Sequence, residues 1–310
     1  MAISRNTLIS RVMVVLAVIL ILMWIRRHGL NTSQSSGIEG FQQDDRFVAK
    51  YDTDIYDDFY INVYDKIHLP KQQLDAVMKS VNMTLPSTES SMFLDIGCGT
   101  GVLMNELDRL GYNVYGIDKS ADMVEFCRNK YPKLKLKCDD FLNPMAYERN
   151  TFTHLLCTQS TIYQFKDKVE FFRNCYIFMK PGAYLIVHMI DVDKFDTISP
   201  VGRPALLEDA QKYSDERITA TEVDFVDFTY KNAFDFSDKN NTVITETFVD
   251  KSSSSPQSSI RQNQQTLYTE TIDIVLNCAK YSGFLVVGQM NMKEGLGDEN
   301  QYIFVFERTL

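Results

Sequence analysis

The run Phe93-Leu94-Asp95-Ile96-Gly97-Cys98-Gly99-Thr100-Gly101 constrains this chain more than any other segment. A short apolar strand feeds three alternating glycines, and residues 102–110 then carry a helical apolar period. Glycine is needed where the backbone takes positive φ or comes within contact distance of a ligand. A helix N-terminus beside such a loop leaves N–H groups free for a polar ligand. A nucleotide-type cofactor at the C-terminal edge of a parallel sheet is the natural tenant. The dinucleotide fingerprint would need glycine at 102, where Val102 stands, and this disfavours a nicotinamide oxidoreductase.

Strand and helix alternate around that loop. Residues 91–95, 114–117, 133–138, 153–158 and 184–189 read as strands, and residues 120–129 and 166–179 as helices, the first opened by an N-cap serine, Ser120. This rhythm predicts a parallel sheet with crossover helices. The Asp95 carboxylate suits a ligand carrying an ammonium group. Asp118 closes the second strand, where a carboxylate can accept hydrogen bonds from both hydroxyls of a ribose. Beyond Pro200 the rhythm changes: residues 221–230, 242–250 and 261–269 read as strands of an antiparallel insertion spanning 205–269, interrupted by the low-complexity stretch 251–259. Residues 271–281 are again helical, and 284–290 and 302–307 are strands. Residues 47–81 are read as helical, with Tyr56, Tyr60 and Tyr64 forming one stripe, either core packing or a lid over a ligand.

The 310 residues are 45% hydrophobic and 24% charged, which excludes a disordered or collagenous chain. A net charge of −9 gives no broad cationic surface, so no nucleic-acid partner is expected. The six cysteines form no CxxC pair, leaving no support for a metal site, and scattered thiols suit a reducing compartment. Residues 12–25 carry no charge and cover about 21 Å as a helix; counted from Leu8 the run approaches the length a bilayer needs. Arg26, Arg27 and His28 follow in place of a cleavage site, so residues 1–30 are expected to be an uncleaved anchor, spanning at 8–25. Residues 31–45 read as a flexible linker, and 46–310 as one folded domain with its body in the cytosol.

Taken together, LDIGCGTG, YGIDKS, CDDF, THLLCTQ and KPGAYLIVH resemble the class I S-adenosylmethionine-dependent methyltransferases, over about residues 47–200 and 270–310. The resemblance implies an α/β Rossmann-like fold: a mostly parallel seven-stranded sheet, helices on both faces and a small antiparallel insertion. It implies S-adenosylmethionine as cofactor. By position, Asp95, Gly97, Gly99 and Gly101 would hold the methionine end, with Cys98 a small filler in the same loop. Asp118 would hold the ribose, Lys119, Ser120 and Met123 would border the adenosine, and Asp140 with Phe141 would frame the adenine. Cys157 and Thr158 would line the floor near the sulfonium. The general shape is similar to the small-molecule branch, whose acceptor is small or lipid-like.

Methyl transfer from a sulfonium needs alignment and water exclusion, and a general base only where the acceptor arrives protonated. His188, at the end of the fifth strand, and Tyr163 are the catalytic candidates; Tyr60 and Gln159 are candidates for substrate contact. His154, at the opposite end of the sheet, is read as structural. A protein side-chain methyltransferase and a non-catalytic cofactor-binding module are the competing readings.

Overall fold

The computed structural model describes residues 46–84, 90–203, 210–251 and 259–309. The expected anchor at 8–25 and linker at 31–45 lie outside the described residues. No described helix is long and apolar enough to cross a membrane.

The chain enters as a strand, β1 (Phe47–Tyr51), and turns into helix α1 (Asp58–His68). The expected helical reading of 47–81 therefore fails over its first five residues. They pair in parallel with a strand more than two hundred residues later, a partner that local periodicity cannot reveal. Asp57 caps α1 by accepting a hydrogen bond from the Tyr60 N–H at 3.3 Å. Helix α2 (Leu74–Val81) follows. The glycine loop lies between β2 (Met92–Ile96) and α3 (Val102–Arg109), as the motif predicts. Next come β3 (Asn113–Asp118), α4 (Ala121–Lys130), β4 (Lys135–Cys138), β5 (Phe152–Cys157), α5 (Lys168–Phe178) and β6 (Met179–Ile190). The expected N-cap of α4 is present, Ser120 Oγ accepting from Met123 N–H at 3.2 Å. Lys180-Pro181-Gly182, between the helix and strand read from the sequence, forms an irregularity inside β6: Gly182 takes φ +72°, and the pairing with β5 jumps from Met179 to Tyr184.

The insertion holds β7 (Ala220–Asp224), β8 (Phe228–Asp235), β9 (Asn241–Asp250) and β10 (Ile260–Tyr268). Residues 221–230, expected as one strand, are a hairpin. Phe225 and Val226 continue the apolar run and so hide its turn from the sequence, yet Val226 is 81% exposed at the tip. The chain closes with α6 (Ile272–Tyr281), β11 (Phe284–Met292), the single turn α7 (Lys293–Leu296) and β12 (Asp298–Arg308).

Two sheets result. The larger, in the order β11-β12-β6-β5-β2-β3-β4, is parallel from β6 to β4, with β12 antiparallel to both its neighbours. This is the expected Rossmann-like arrangement. The smaller, β1-β10-β9-β8-β7, is antiparallel except where β1 joins it. One face of the large sheet packs Phe152, Phe171, Phe172, Phe178 and Phe306; the other packs Phe93, Met104, Leu107 and Val305 against Val77 and Val81 of α2. Each such side chain contributes roughly 1.5–3 kcal/mol. His154 lies in that second layer, stacked on Phe93 at 4.4 Å, and burial lowers its pKa to about 4. It is a neutral core residue.

Arg261 of β10 clasps α1 to the small sheet. Buried to 5% exposure, it donates to Asp57 Oδ2 at 2.8 Å and to the Ile55 carbonyl at 3.1 Å, and its guanidinium lies 4.9 Å from the Phe59 ring centroid. Asp57→Ala removes a helix cap and strands a buried cation. We expect a loss of about 2–4 kcal/mol in chemical denaturation, with Asp57→Asn restoring only the capping share.

Candidate active site

At the C-terminal edge of the large sheet the loop after β2 is tied to β3: Gly97 N and Cys98 N donate to the Ile117 carbonyl at 2.8 and 3.2 Å. Two glycines have no substitute there. Gly97, at φ +67°, would place a Cβ 2.7 Å from Thr161 Cγ2, and Gly101, at φ +79°, would place one 2.3 Å from Cys127 Sγ. The loop wraps a cavity of about 300 Å³. Asp95, Gly97, Cys98, Gly99, Asp118, Lys119, Met123, Asp140, Phe141, Thr158 and Gln159 all line it.

Three expected cofactor residues do not line this cavity. Gly101 shapes the start of α3 from behind, Ser120 spends its hydroxyl on the α4 cap, and Cys157 is fully buried beneath the floor. Asp139 joins Asp140 on the wall, but its carboxylate is held by Asn143 and Lys137, which keep its pKa below the usual range. The sequence did not single out Thr161, Gln164, Phe165 or Tyr268, which complete the wall.

The electrostatics are set by two acids. Asp118 is half-buried, and its carboxylate accepts from Gly99 N and Ser120 N, each at 2.9 Å. Burial raises its pKa, and these two N–H donors oppose the rise. Asp95 is 3% exposed, and among the described residues no ion pair holds it. Burial first, then the Asp118 charge, push its pKa up to about 8.

A second cavity, of about 210 Å³, adjoins the first, and Tyr56, Tyr64, Gln159 and Gln164 line both. Tyr56, Tyr60 and Tyr64 lie 5.7–6.4 Å apart, centroid to centroid, so the tyrosine stripe of the sequence faces these cavities. Tyr56 Oη accepts from Gln265 at 3.1 Å and Gln164 at 3.4 Å, and burial pushes its pKa up to about 12. Tyr60 Oη bonds His68 Nε2 at 2.9 Å. The small sheet supplies the far wall through the alternate residues Tyr230, Asn232 and Phe234, then Thr242, Ile244 and Glu246, then Asn263, Gln265 and Leu267. These were missed in the sequence. The signal lay in the polar members of that alternation, visible only once the buried face is known.

His188 lies in the second cavity as expected, but its geometry corrects its role. Nδ1 accepts from the Ser160 N–H at 3.0 Å, which puts the proton on Nε2. Burial lowers the pKa to about 4, so the ring is a neutral donor and a weak base. The turn that delivers Ser160 N holds two non-glycine residues at positive φ, Gln159 at +51° and Ser160 at +60°. Tyr163 is corrected outright. Its hydroxyl bridges the Ile190 N–H and carbonyl at 3.0 and 3.2 Å, fully buried, and lines neither cavity.

Residues 94–187 match a family model described as a methyltransferase domain. The chain is 34% identical over 107 residues to the ubiquinone biosynthesis O-methyltransferase of Rhodopseudomonas palustris, covering 34% of this chain and 42% of that protein. It spans about half the length of the curated relatives it matches. Among solved structures it is similar to the CcbJ methyltransferase of Streptomyces caelestis, at TM-score 0.63 and 15% identity over 84% of this chain and all of that one. It is also similar to the amino pentose methyltransferase CalS10 of Micromonospora echinaspora, determined with S-adenosylmethionine bound, at TM-score 0.53 and 16% identity over 76% of this chain and 90% of that one. The fold is the Rossmann-like methyltransferase fold, one on which CalS10 binds S-adenosylmethionine.

The residues present fit that cofactor, because the buried, unpaired Asp95 carboxylate is what an amino-acid ammonium would satisfy. Folding holds this carboxyl neutral up to about pH 8, whereas an unfolded chain ionises it near 4. The empty protein therefore loses stability as pH rises through that window, and an ammonium ligand offsets the loss. At pH 7, S-adenosylhomocysteine binding is expected to release close to one proton. Calorimetry in buffers of different ionisation enthalpy would show it, and Asp95→Asn removes the difference.

Proposed function

We propose that this chain transfers a methyl group from S-adenosylmethionine to a small polar acceptor. The observation that carries this reading is the pair of adjoining cavities joined at Tyr56, Tyr64, Gln159 and Gln164, one lined by the glycine loop and the other closed by α1 and the small sheet. When bound, the cofactor supplies a sulfonium methyl already activated for in-line displacement. The chain's own work is to hold and orient. Asp95 takes the ammonium, Asp118 the ribose hydroxyls, and Met123 and Phe141 flank the base. Gln159 and Thr158 stand at the floor, and the tyrosines exclude water from the junction. Positioning of this kind is worth up to roughly 7–11 kcal/mol in ideal cases. The amide and hydroxyl lining of the second cavity favours a small polar acceptor over a lipid-like one. We also propose that residues 8–25 tether the chain to a membrane with its folded body in the cytosol, on the support of the charge-free run 12–25 within them and the scattered thiols.

The test has two parts. Calorimetric titration of S-adenosylhomocysteine is expected to show micromolar binding, weakened at least tenfold in Asp118→Ala. Methyl-labelled cofactor incubated with cell extract is expected to leave label in the small-molecule fraction. Label in protein would replace the acceptor class, and no cofactor binding by a folded chain would overturn the reading.

A further inference from the structure

The wall of the second cavity carries a charge that the cofactor does not account for. Glu246 of β9 is 5% exposed, and its Oε1 accepts from Tyr230 Oη at 2.7 Å. Among the described residues no lysine or arginine pairs with it; its ion-pairing neighbour is His68, at 3.7 Å, whose pKa is lowered by burial. The other acid on this wall, Asp196, is already paired with Arg203 at 3.1 Å. The Tyr230 ring is bonded to it directly, and Tyr60 bonds the same His68 at 2.9 Å, so two aromatic rings stand beside it. A buried carboxylate is costly unless it is neutralised. Aromatic faces around it attract cations, quaternary ammonium groups above all. Two further buried atoms on the same wall have no partner, Asn232 Oδ1, an acceptor, and Asn263 Nδ2, a donor. Each leaves a hydrogen bond open to a ligand hydroxyl, one as acceptor and one as donor.

We propose that the second cavity is an ammonium site in which Glu246 and the rings of Tyr60 and Tyr230 receive the amine of a small, hydroxyl-bearing acceptor, making that amine nitrogen the destination of the methyl group. This rests on the methyltransferase reading above and names its acceptor chemistry. The ammonium gives its surplus proton to the neutral His68 ring and so to solvent. The nitrogen lone pair then forms the N–C bond as the C–S bond breaks with its electron pair left on sulfur, and the positive charge passes from sulfur to nitrogen. Glu246 stabilises that charge both before and after transfer.

The probe is tetramethylammonium, a mimic of a methylated amine, titrated into the full chain in non-ionic detergent and read by saturation-transfer NMR of its methyl signal, with and without S-adenosylhomocysteine. Its neutral counterpart, tert-butanol, serves as control. Tetramethylammonium is expected to bind in preference to tert-butanol, and Glu246→Gln to weaken it at least tenfold. Tyr60→Leu, which lines the second cavity alone, is expected to weaken it severalfold with the carboxylate intact. Equal affinity for the two probes, or unchanged binding in either folded variant, overturns the proposal. The cofactor cavity is read separately: if tetramethylammonium behaves as expected while S-adenosylhomocysteine fails to bind, the methyltransferase reading falls and the ammonium site stands without methyl transfer.

Discussion

The second cavity exists because one buried guanidinium holds its two halves together. Arg261 reaches from β10 to the Asp57 carboxylate and the Ile55 carbonyl at the start of α1, with Phe59 packed on its face. Phe59 also meets Phe248 edge-on at 5.1 Å, so the polar clasp sits over an aromatic floor. A charge this deeply buried is tolerable only when paired and hydrogen-bonded, and Asn263 Oδ1 accepts from Nε at 2.9 Å, so each guanidinium nitrogen has a partner. The clasp fixes both the turn that carries Tyr56 and the rotation of α1, and together these bring Tyr56, Tyr60 and Tyr64 to the ligand space. On the other side, Lys168 of α5 is buried and bonds the Tyr268 carbonyl at 2.9 Å while pairing with Glu270 at 2.8 Å, which fastens the end of β10 to the large sheet. The small sheet is thereby held at both ends of the cavity between it and the large sheet.

The acid distribution of the site is one-sided. Asp95 and Asp118 stand in one cavity and Glu246 in the other, and among the described residues none of the three is matched by a lysine or arginine. A protein interior does not leave such charges uncompensated for stability's sake. Backbone N–H donors hold Asp118, a shifted proton equilibrium relieves Asp95, and a tyrosine hydroxyl serves Glu246. Each arrangement leaves the group able to gain more from a positively charged or hydroxyl-bearing ligand than it has within the protein, and this is what a binding site requires.

The glycine-loop cavity was legible in the sequence, and of the second cavity only one side was, through Tyr56, Tyr60, Tyr64, Gln159 and His188. The glycine loop, Asp95, Asp118 and the Ser120 cap depend on contacts within one strand–loop–helix unit and its neighbour, so short-range pattern carries them. Glu246, Asn232 and Asn263 become site residues only through the pairing of β8, β9 and β10. On a strand read alone, a polar residue at an alternate position looks the same whether that face meets solvent or a cavity. The same limit hid β1, whose partner is β10, and the hairpin tip at Val226, where apolar residues occupy an exposed turn. Cys157 and Tyr163 erred for a related reason: being near the C-terminal edge in sequence does not determine which face of the sheet a side chain takes.

The turn after β5 shows how the fold converts backbone strain into alignment. Gln159 and Ser160 both adopt the left-handed region, which costs a non-glycine residue of order 1 kcal/mol or more. That conformation aims Ser160 N at His188 Nδ1 and sets Gln159 at the seam of the two cavities. His188 gives up its basic nitrogen in the process and becomes a fixed neutral donor. The tyrosines of the wall are pushed toward higher pKa by burial, so none of them ionises near neutral pH. With His188 and these tyrosines unable to serve as bases, the proposed acceptor is one that needs orientation more than activation. An amine, nucleophilic once a single proton is lost, meets that condition better than an alcohol, whose proton is far harder to remove.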